Sequence, residues 1–378
     1  MNKSISFNVQ KINGNEGNYI NEVLKDPISF QRKVYHSKCS GWFKQTYGNE
    51  FFLTPSCTKA LEFAADLLEL EMGDEIVLPS FTHVSTANAF ARTKAKLIFI
   101  DVNPDNMVLD PQLVSAAVTR RTKAVLVTNY GGFSCELDKL KQYTSSQGII
   151  LIEDNAHGFL AKYKDGYLGT FGDLSCFSFE RQKNITCGEG GGLLLNNKQF
   201  LSKARLIYNS GTNSEAFYQG KVSEYTWKGV GTKYGLSELT AAYLWGQLER
   251  SEEITSHRRS LWNKYMELLT PMELESRFKL PHPLQFNKHN AHIFFLLMNS
   301  QKERSGLIDF LKERNVEALF HYVPLHVSDY GKEIGKFIGP KDYSGELYKG
   351  LIRLPIHAGM DLDDVEHVSS LIDMYFSD

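Results

Sequence analysis

Three places along the sequence carry residue types that could do chemistry together. Lys183 lies a few residues after the apolar run 174–179, in Cys176-Phe177-Ser178-Phe179-Glu180-Arg181-Gln182-Lys183-Asn184. A lysine carried into a cleft has a depressed pKa, and its neutral amine can condense with a carbonyl. Asp154 closes the apolar run 149–154 and leads into Asn155-Ala156-His157-Gly158. A carboxylate at a buried strand end needs a partner, which can be a metal, a helix cap or a protonated ring nitrogen. The third place is Thr54-Pro55-Ser56-Cys57-Thr58-Lys59, ahead of a helical pattern in which Leu61, Ala64, Ala65 and Leu68 share one face. Ser56 suits the N-cap, and the unpaired N–H groups behind it suit a phosphate. Taken singly these are a surface lysine, a structural cap and a plain helix start. Together, an anion cradle, a carboxylate and a reactive amine meet the needs of pyridoxal phosphate (PLP).

Other chemistries lack their residues. The glycines in Gly188-Glu189-Gly190-Gly191-Gly192 are followed by no Gly-Lys-Ser/Thr and form no GxGxxG after a first strand, so they read only as a loop. His289 with His292, and His321 with His326, are paired histidines without the acidic or cysteine partners of a zinc site, and no metal is expected. No GxSxG elbow supports a hydrolase.

The elements that must position these residues follow from hydrophobic patterning. Short runs at 75–79, 97–101, 124–128 and 149–154 are apolar on both faces, as strands of a covered parallel sheet are. Segments 83–92, 110–118 and 136–147 between them are long enough for crossover helices, which predicts a doubly wound α/β domain. Two further strands are expected at 174–179 and 191–196, then helix from about 234 to 248. The charged stretch 249–259 reads as the solvated face of a connecting helix. A boundary near 250 separates a large domain, 1–250, from a smaller α+β unit, 251–378.

The chain has 378 residues with 42 Lys and Arg against 44 Asp and Glu, so no basic excess favours nucleic acid or anionic membrane. Its five cysteines form no CxxC pair, which points to a reducing compartment. No run approaches the ~18 apolar residues of a membrane span, and the N-terminus lacks a signal-like apolar stretch. A cytoplasmic protein is expected.

The ordered motifs resemble those of the DegT/DnrJ/StrS sugar-nucleotide aminotransferases, PLP enzymes of fold type I. The resemblance runs from about Phe7 to the C-terminal helix. It is carried by 54–62, 73–90, 151–158, 176–184 and 188–192, by Tyr234-Gly235-Leu236-Ser237-Glu238-Leu239-Thr240-Ala241-Ala242, and by Phe320-His321-Tyr322-Val323-Pro324-Leu325-His326. Within the family, 53–58, 81–90, Tyr225-Thr226-Trp227 and Ala242-Tyr243-Leu244-Trp245 look most similar to one branch. That branch converts dTDP-4-keto-6-deoxyglucose to dTDP-4-amino-4,6-dideoxygalactose for surface polysaccharides such as lipopolysaccharide O-antigen. The resemblance implies a mostly parallel seven-stranded sheet, a smaller C-terminal domain, L-glutamate as donor, and a homodimer with active sites at its interface.

Carried over residue by residue, Lys183 matches the lysine that joins the cofactor covalently and later moves the proton. Asp154 matches the partner of the pyridine nitrogen, and Ser178 a phosphate ligand. Cys57, Thr58 and Lys59 sit where backbone N–H groups and a hydroxyl hold the same phosphate. His83 takes the place of an aromatic stacked on the ring, and His157 stands where many relatives have Gln near the phenolic oxygen. Lys233 occupies a position at which many members carry an Asn reaching the neighbouring subunit's phosphate. Glu180-Arg181-Gln182 departs from a more usual His-containing stretch. Retention of Lys183 argues against the 3-dehydratase branch, which has His there.

Overall fold

The computed structural model describes residues 4–12 and 14–377. Helices α1 (Glu16–Lys25) and α2 (Val34–Tyr47) come first, and strands and helices then alternate. The series is β1 (Glu50–Thr54), α3 (Cys57–Leu68), β2 (Glu75–Pro79), α4 (Val84–Ala91), β3 (Lys96–Ile100), α5 (Pro111–Ala117), β4 (Thr122–Thr128), α6 (Leu137–Ser146) and β5 (Ile150–Asp154). Side chains cap the helix starts: Ser56 accepts from the Lys59 N–H, and Asp110 from Gln112 with Pro111 in the first turn. β6 (Leu174–Ser178), β7 (Gly191–Leu195), α7 (Leu201–Tyr208), α8 (Glu238–Leu248) and the long α9 (Ser251–Leu274) follow. The C-terminal part holds β8 (Phe278–Lys279), β9 (Phe294–Met298), α10 (Gln301–Glu313), β10 (Leu319–Phe320), β11 (Gly335–Ile338), β12 (Leu351–Leu354) and α11 (Leu362–Ser377).

The main sheet has the order β1-β7-β6-β5-β4-β2-β3-β11. It is parallel from β6 to β11, while β7 runs antiparallel to both β1 and β6. Val125, Leu126, Leu151 and Ile152 have no exposed surface, because helices cover both faces. The expectation of seven strands therefore needs correcting to eight. Without β11 the outer edge of β3 would present a row of open N–H and C=O groups. Gly335–Ile338 pairs with that edge in parallel, Gly335 opposite Leu97 and Ile338 opposite Ile100. The smaller antiparallel sheet, β8-β9-β12-β10, packs with α9, α10 and α11 into a core continuous with one face of the main sheet.

Two charged residues lie deeper than the sequence suggests. Arg258, in the stretch read as a solvated face, is buried. Its Nε donates to the carbonyl of Ala291 at 3.1 Å and a terminal nitrogen to that of His292 at 2.7 Å. Glu153 has no exposed surface and accepts from the N–H groups of Gly169, Phe171 and Gly172 and from Asn129 Nδ2, at 2.7–3.0 Å. Alternation along β5 sends Glu153 and its neighbour Asp154 to opposite faces, so one carboxylate organises the fold while the other is left for the site. Glu153→Ala would strand several buried donors at once. It is expected to destabilise the protein by about 4 kcal/mol, read as a lowered denaturation midpoint.

Candidate active site

A cavity of about 430 Å³ opens where β2, β4, β5 and β6 end, the carboxyl edge at which open α/β sheets place their ligands. Lys183, Asp154, His157, Ser178, Cys57, Thr58 and His83 all line it. Lys59 does not. Its ammonium pairs with Glu62 at 2.6 Å, and its N–H is taken by Ser56 Oγ at 3.2 Å. Lys233 is exposed, bridged through its backbone to Asn209, and also lies outside the cavity wall.

The start of α3 is held against the sheet by a glycine. A Cβ on Gly191 would lie 2.4 Å from the backbone nitrogen of Cys57 and 2.4 Å from the carbonyl carbon of Ser56. Gly191 begins β7, where a strand was expected, and its missing side chain lets the helix start come up to that strand. Ser56 caps Lys59, and Ala60 bonds back to the Ser56 carbonyl. The N–H groups of Cys57 and Thr58 have no acceptor among the described residues, which is the arrangement a phosphate fills. Ser178 Oγ lies at the end of β6 in the same cavity.

Lys183 sits in the loop joining β6 to β7. That loop is closed by Phe179 N–H to the Gly190 carbonyl at 2.8 Å and Cys187 N–H to the Phe179 carbonyl at 2.9 Å. Asn184 ties it across the cavity wall, with Nδ2 on the Asn290 carbonyl at 2.8 Å and Oδ1 on His292 Nδ1 at 2.9 Å. The surrounding protein pushes the Lys183 ammonium below the ordinary lysine pKa, mainly by desolvation, and the nearby Arg353 adds to the shift.

Asp154 is buried and aimed by a line of hydroxyls that sequence reasoning missed. Thr86 Oγ1 donates to its Oδ2 at 2.6 Å, and the Ala156 N–H reaches its Oδ1 at 3.2 Å. Behind Thr86 stand Thr82 at 3.1 Å and then Thr128 at 3.0 Å. His157 is buried, and burial holds its imidazole neutral, well below the usual histidine pKa. The Gly131 N–H points at its Nδ1 from 3.2 Å, so the ring proton is placed on Nε2, which becomes a donor. His83 caps α4 through Nδ1 and keeps an exposed ring, edge-on to Tyr322. Of the departing stretch, Glu180 and Gln182 line the cavity, whereas Arg181 is exposed beside Glu180.

The C-terminal part completes the wall. His321 and Tyr322 reach the cavity from the segment after β10, Arg353 from β12, and His292 comes from the loop before β9. His326 does not reach it. Its ring bonds Ser80 Oγ and Asp342 instead. Arg353 had a visible signal, a charge within the apolar run Leu351–Leu354.

The sequence matches the DegT/DnrJ/EryC1/StrS aminotransferase family over residues 12–373. The chain belongs to that family. SpsC of Bacillus subtilis, a spore coat polysaccharide biosynthesis protein, is 31% identical to it over 322 residues, 83% of this chain and 82% of SpsC. PseC of Helicobacter pylori, an aminotransferase involved in the biosynthesis of pseudoaminic acid, has the same fold. It gives a TM-score of 0.88 and 21% identity, covering 99% of this chain and 100% of PseC. Spr1654 of Streptococcus pneumoniae, solved in its PLP form, gives a TM-score of 0.83 at 20% identity, over 99% of this chain and 100% of that one.

A DegT/DnrJ/EryC1/StrS enzyme is a PLP-dependent aminotransferase of fold type I. The residues here fit that cofactor: one cavity offers two unused helix N–H groups, a hydroxyl, a fixed carboxylate and an amine of lowered pKa. Among the described residues no helix is long and apolar enough to cross a membrane.

Proposed function

We propose that this aminotransferase moves an amino group from L-glutamate to the keto carbon of a nucleotide-linked 4-keto-6-deoxy sugar. The specific reaction is dTDP-4-keto-6-deoxyglucose to dTDP-4-amino-4,6-dideoxygalactose, for a surface polysaccharide. The observation that carries the reading is the meeting of Lys183, Asp154 and the α3 start in one cavity, in a chain of this family. The likeness to SpsC supports polysaccharide as the destination.

Bound PLP supplies an aldehyde that amines attack and a ring that withdraws electrons from the reacting carbon. Lys183 would hold the group covalently, and its free amine would be the base that takes the proton from the donor's α-carbon and returns it. The lowered pKa suits that work, because a base must be neutral to accept a proton. Asp154, fixed by Thr86 and Ala156, would pair with the ring nitrogen and keep it protonated. Cys57 and Thr58 N–H groups and the Ser178 hydroxyl would hold the phosphate, His157 Nε2 would donate to the phenolic oxygen, and His83 would supply the aromatic face beside the ring.

The arm between α7 and α8 exposes Tyr218, Trp227 and Val230 at 81%, 79% and 86%. Such a surface is costly in water and favours a partner. A homodimer in which this arm covers the second copy's cavity would also bring Lys233 to that copy's phosphate as a point charge.

The test is a visible spectrum of PLP-loaded protein during titration with L-glutamate, followed by the keto-sugar. Glutamate is expected to bleach the visible band, and dTDP-4-keto-6-deoxyglucose to restore it with an axial C4 amine in the product by NMR. A band untouched by glutamate rejects the donor. Bleaching that this sugar does not reverse rejects the acceptor.

A further inference from the structure

The loop that carries Lys183 also brings into the cavity a carboxylate that the mechanism above does not use. Among the described residues three carboxylates line the wall. Asp154 is taken by Thr86 and Ala156, and Glu189 is exposed. Glu180 is half-buried, in the stretch that departs from the family's more usual His-containing one. Its own loop fixes it: Oε2 accepts from the Gln182 N–H at 2.9 Å, and Oε1 from Arg181 Nε at 3.2 Å. A carboxylate oxygen accepts twice, so one position on each is open. The charge of Glu180 acts on Lys183, His83 and Tyr322, three other groups of the wall. The carboxylate therefore stands beside the space where a carbon reacting at Lys183 must lie.

We infer that Glu180 is a specificity-determining residue that accepts hydrogen bonds from adjacent ring hydroxyls of the sugar acceptor. This deepens the proposed function and rests on it. Glu180 repels both carboxylates of L-glutamate, and it repels the diphosphate of a nucleotide in the same way. Hydroxyls are what a carboxylate draws in, because they donate to it in a charge-assisted bond. Between a C4 keto carbon at Lys183 and a diphosphate at C1, a 4-keto-6-deoxy sugar carries hydroxyls at C3 and C2. The two are neighbours on one ring, and the two open acceptor positions of one planar carboxylate suit such a pair. Glutamate offers no hydroxyl pair, so the two half-reactions should depend on Glu180 unequally.

That inequality is the test. Calorimetry on protein carrying the amine form of the cofactor compares dTDP, dTDP-6-deoxyglucose, and the 2-deoxy and 3-deoxy analogues of the latter. These sugars lack the keto group and cannot react. Glu180→Ala is expected to weaken dTDP-6-deoxyglucose about 30-fold and to leave dTDP within about twofold of wild type. Removing the C2 or the C3 hydroxyl should cost wild type about tenfold and Glu180→Ala almost nothing, since the acceptor is already gone. Glu180→Gln, keeping one acceptor oxygen without the charge, should lose about fivefold. Half-saturating L-glutamate, read from bleaching of the PLP form, should be no higher in either variant than in wild type. Equal hydroxyl losses in wild type and Glu180→Ala would overturn the assignment, as would a matching rise in half-saturating glutamate, which a merely structural loop would give. So would a wild type that binds dTDP-6-deoxyglucose no tighter than dTDP. Should Glu180→Ala fail to fold, Glu180→Gln decides by the same comparison. If dTDP-6-deoxyglucose binds through Glu180 but dTDP-4-keto-6-deoxyglucose yields no amino sugar, the proposed reaction fails and the hydroxyl contact stands.

Discussion

Lys183→Ala is expected to lower turnover at least about ten-thousandfold, because in the proposed function one side chain would serve as both covalent tether and proton carrier. Among the described residues the cavity offers no second amine: Lys59 is paired with Glu62 and Lys233 lies outside the wall. The variant should still bind PLP, because the α3 start, Ser178 and Asp154 remain in place. Its absorbance should then be that of the free aldehyde form, and mass spectrometry after borohydride treatment should find no cofactor joined to the chain. A small amine added to the buffer should recover a fraction of the proton transfer. Wild-type turnover in this variant would remove Lys183 from the chemistry altogether.

Asp154→Ala should slow proton transfer by about a thousandfold and weaken PLP retention, measured by equilibrium dialysis and by single-turnover bleaching. The loss has two parts. In the proposed function the ring nitrogen would no longer have an anion to keep its proton, and the hydroxyl line Thr128–Thr82–Thr86 loses the acceptor that ends it. Thr86→Val separates them, since it keeps the carboxylate but removes the donor that aims it. A loss of about tenfold is expected there, with recovery in Thr86→Ser. Normal kinetics in Asp154→Ala would dismiss the ring-nitrogen role.

What the sequence disclosed and what it hid divide along a physical line. Lys183 and Asp154 were legible because each follows a strand whose apolar run announces it, and their residue types are unusual there. The α/β alternation was legible for the same reason, local patterning. The threonines behind Asp154 were not, because they come from three segments that meet only through the sheet order β5-β4-β2. The packing role of Gly191, at the start of an expected strand, was hidden because its neighbour, the Ser56–Cys57 backbone, is brought to it by the distant pairing of β1 with β7. Lys59 misled for the opposite reason: its position beside the cradle is local, but its N–H had already been spent on the cap. β11 escaped because Gly-Lys-Phe-Ile is too short and too mixed to signal a strand by pattern.

That last strand bears on how the chain is made. Synthesis proceeds from the N-terminus at roughly 5–20 residues per second. β3 ends at Ile100, and the segment that pairs with it begins only at Gly335. For roughly ten to fifty seconds the nascent sheet has an open parallel edge with nothing of its own to put there. Its helices and most of its core can form meanwhile, but the edge is a template for any passing strand. The enzyme is thus most vulnerable to misassembly on the ribosome, late in translation, and a chaperone that shields strand edges would matter to it more than one that shields apolar faces.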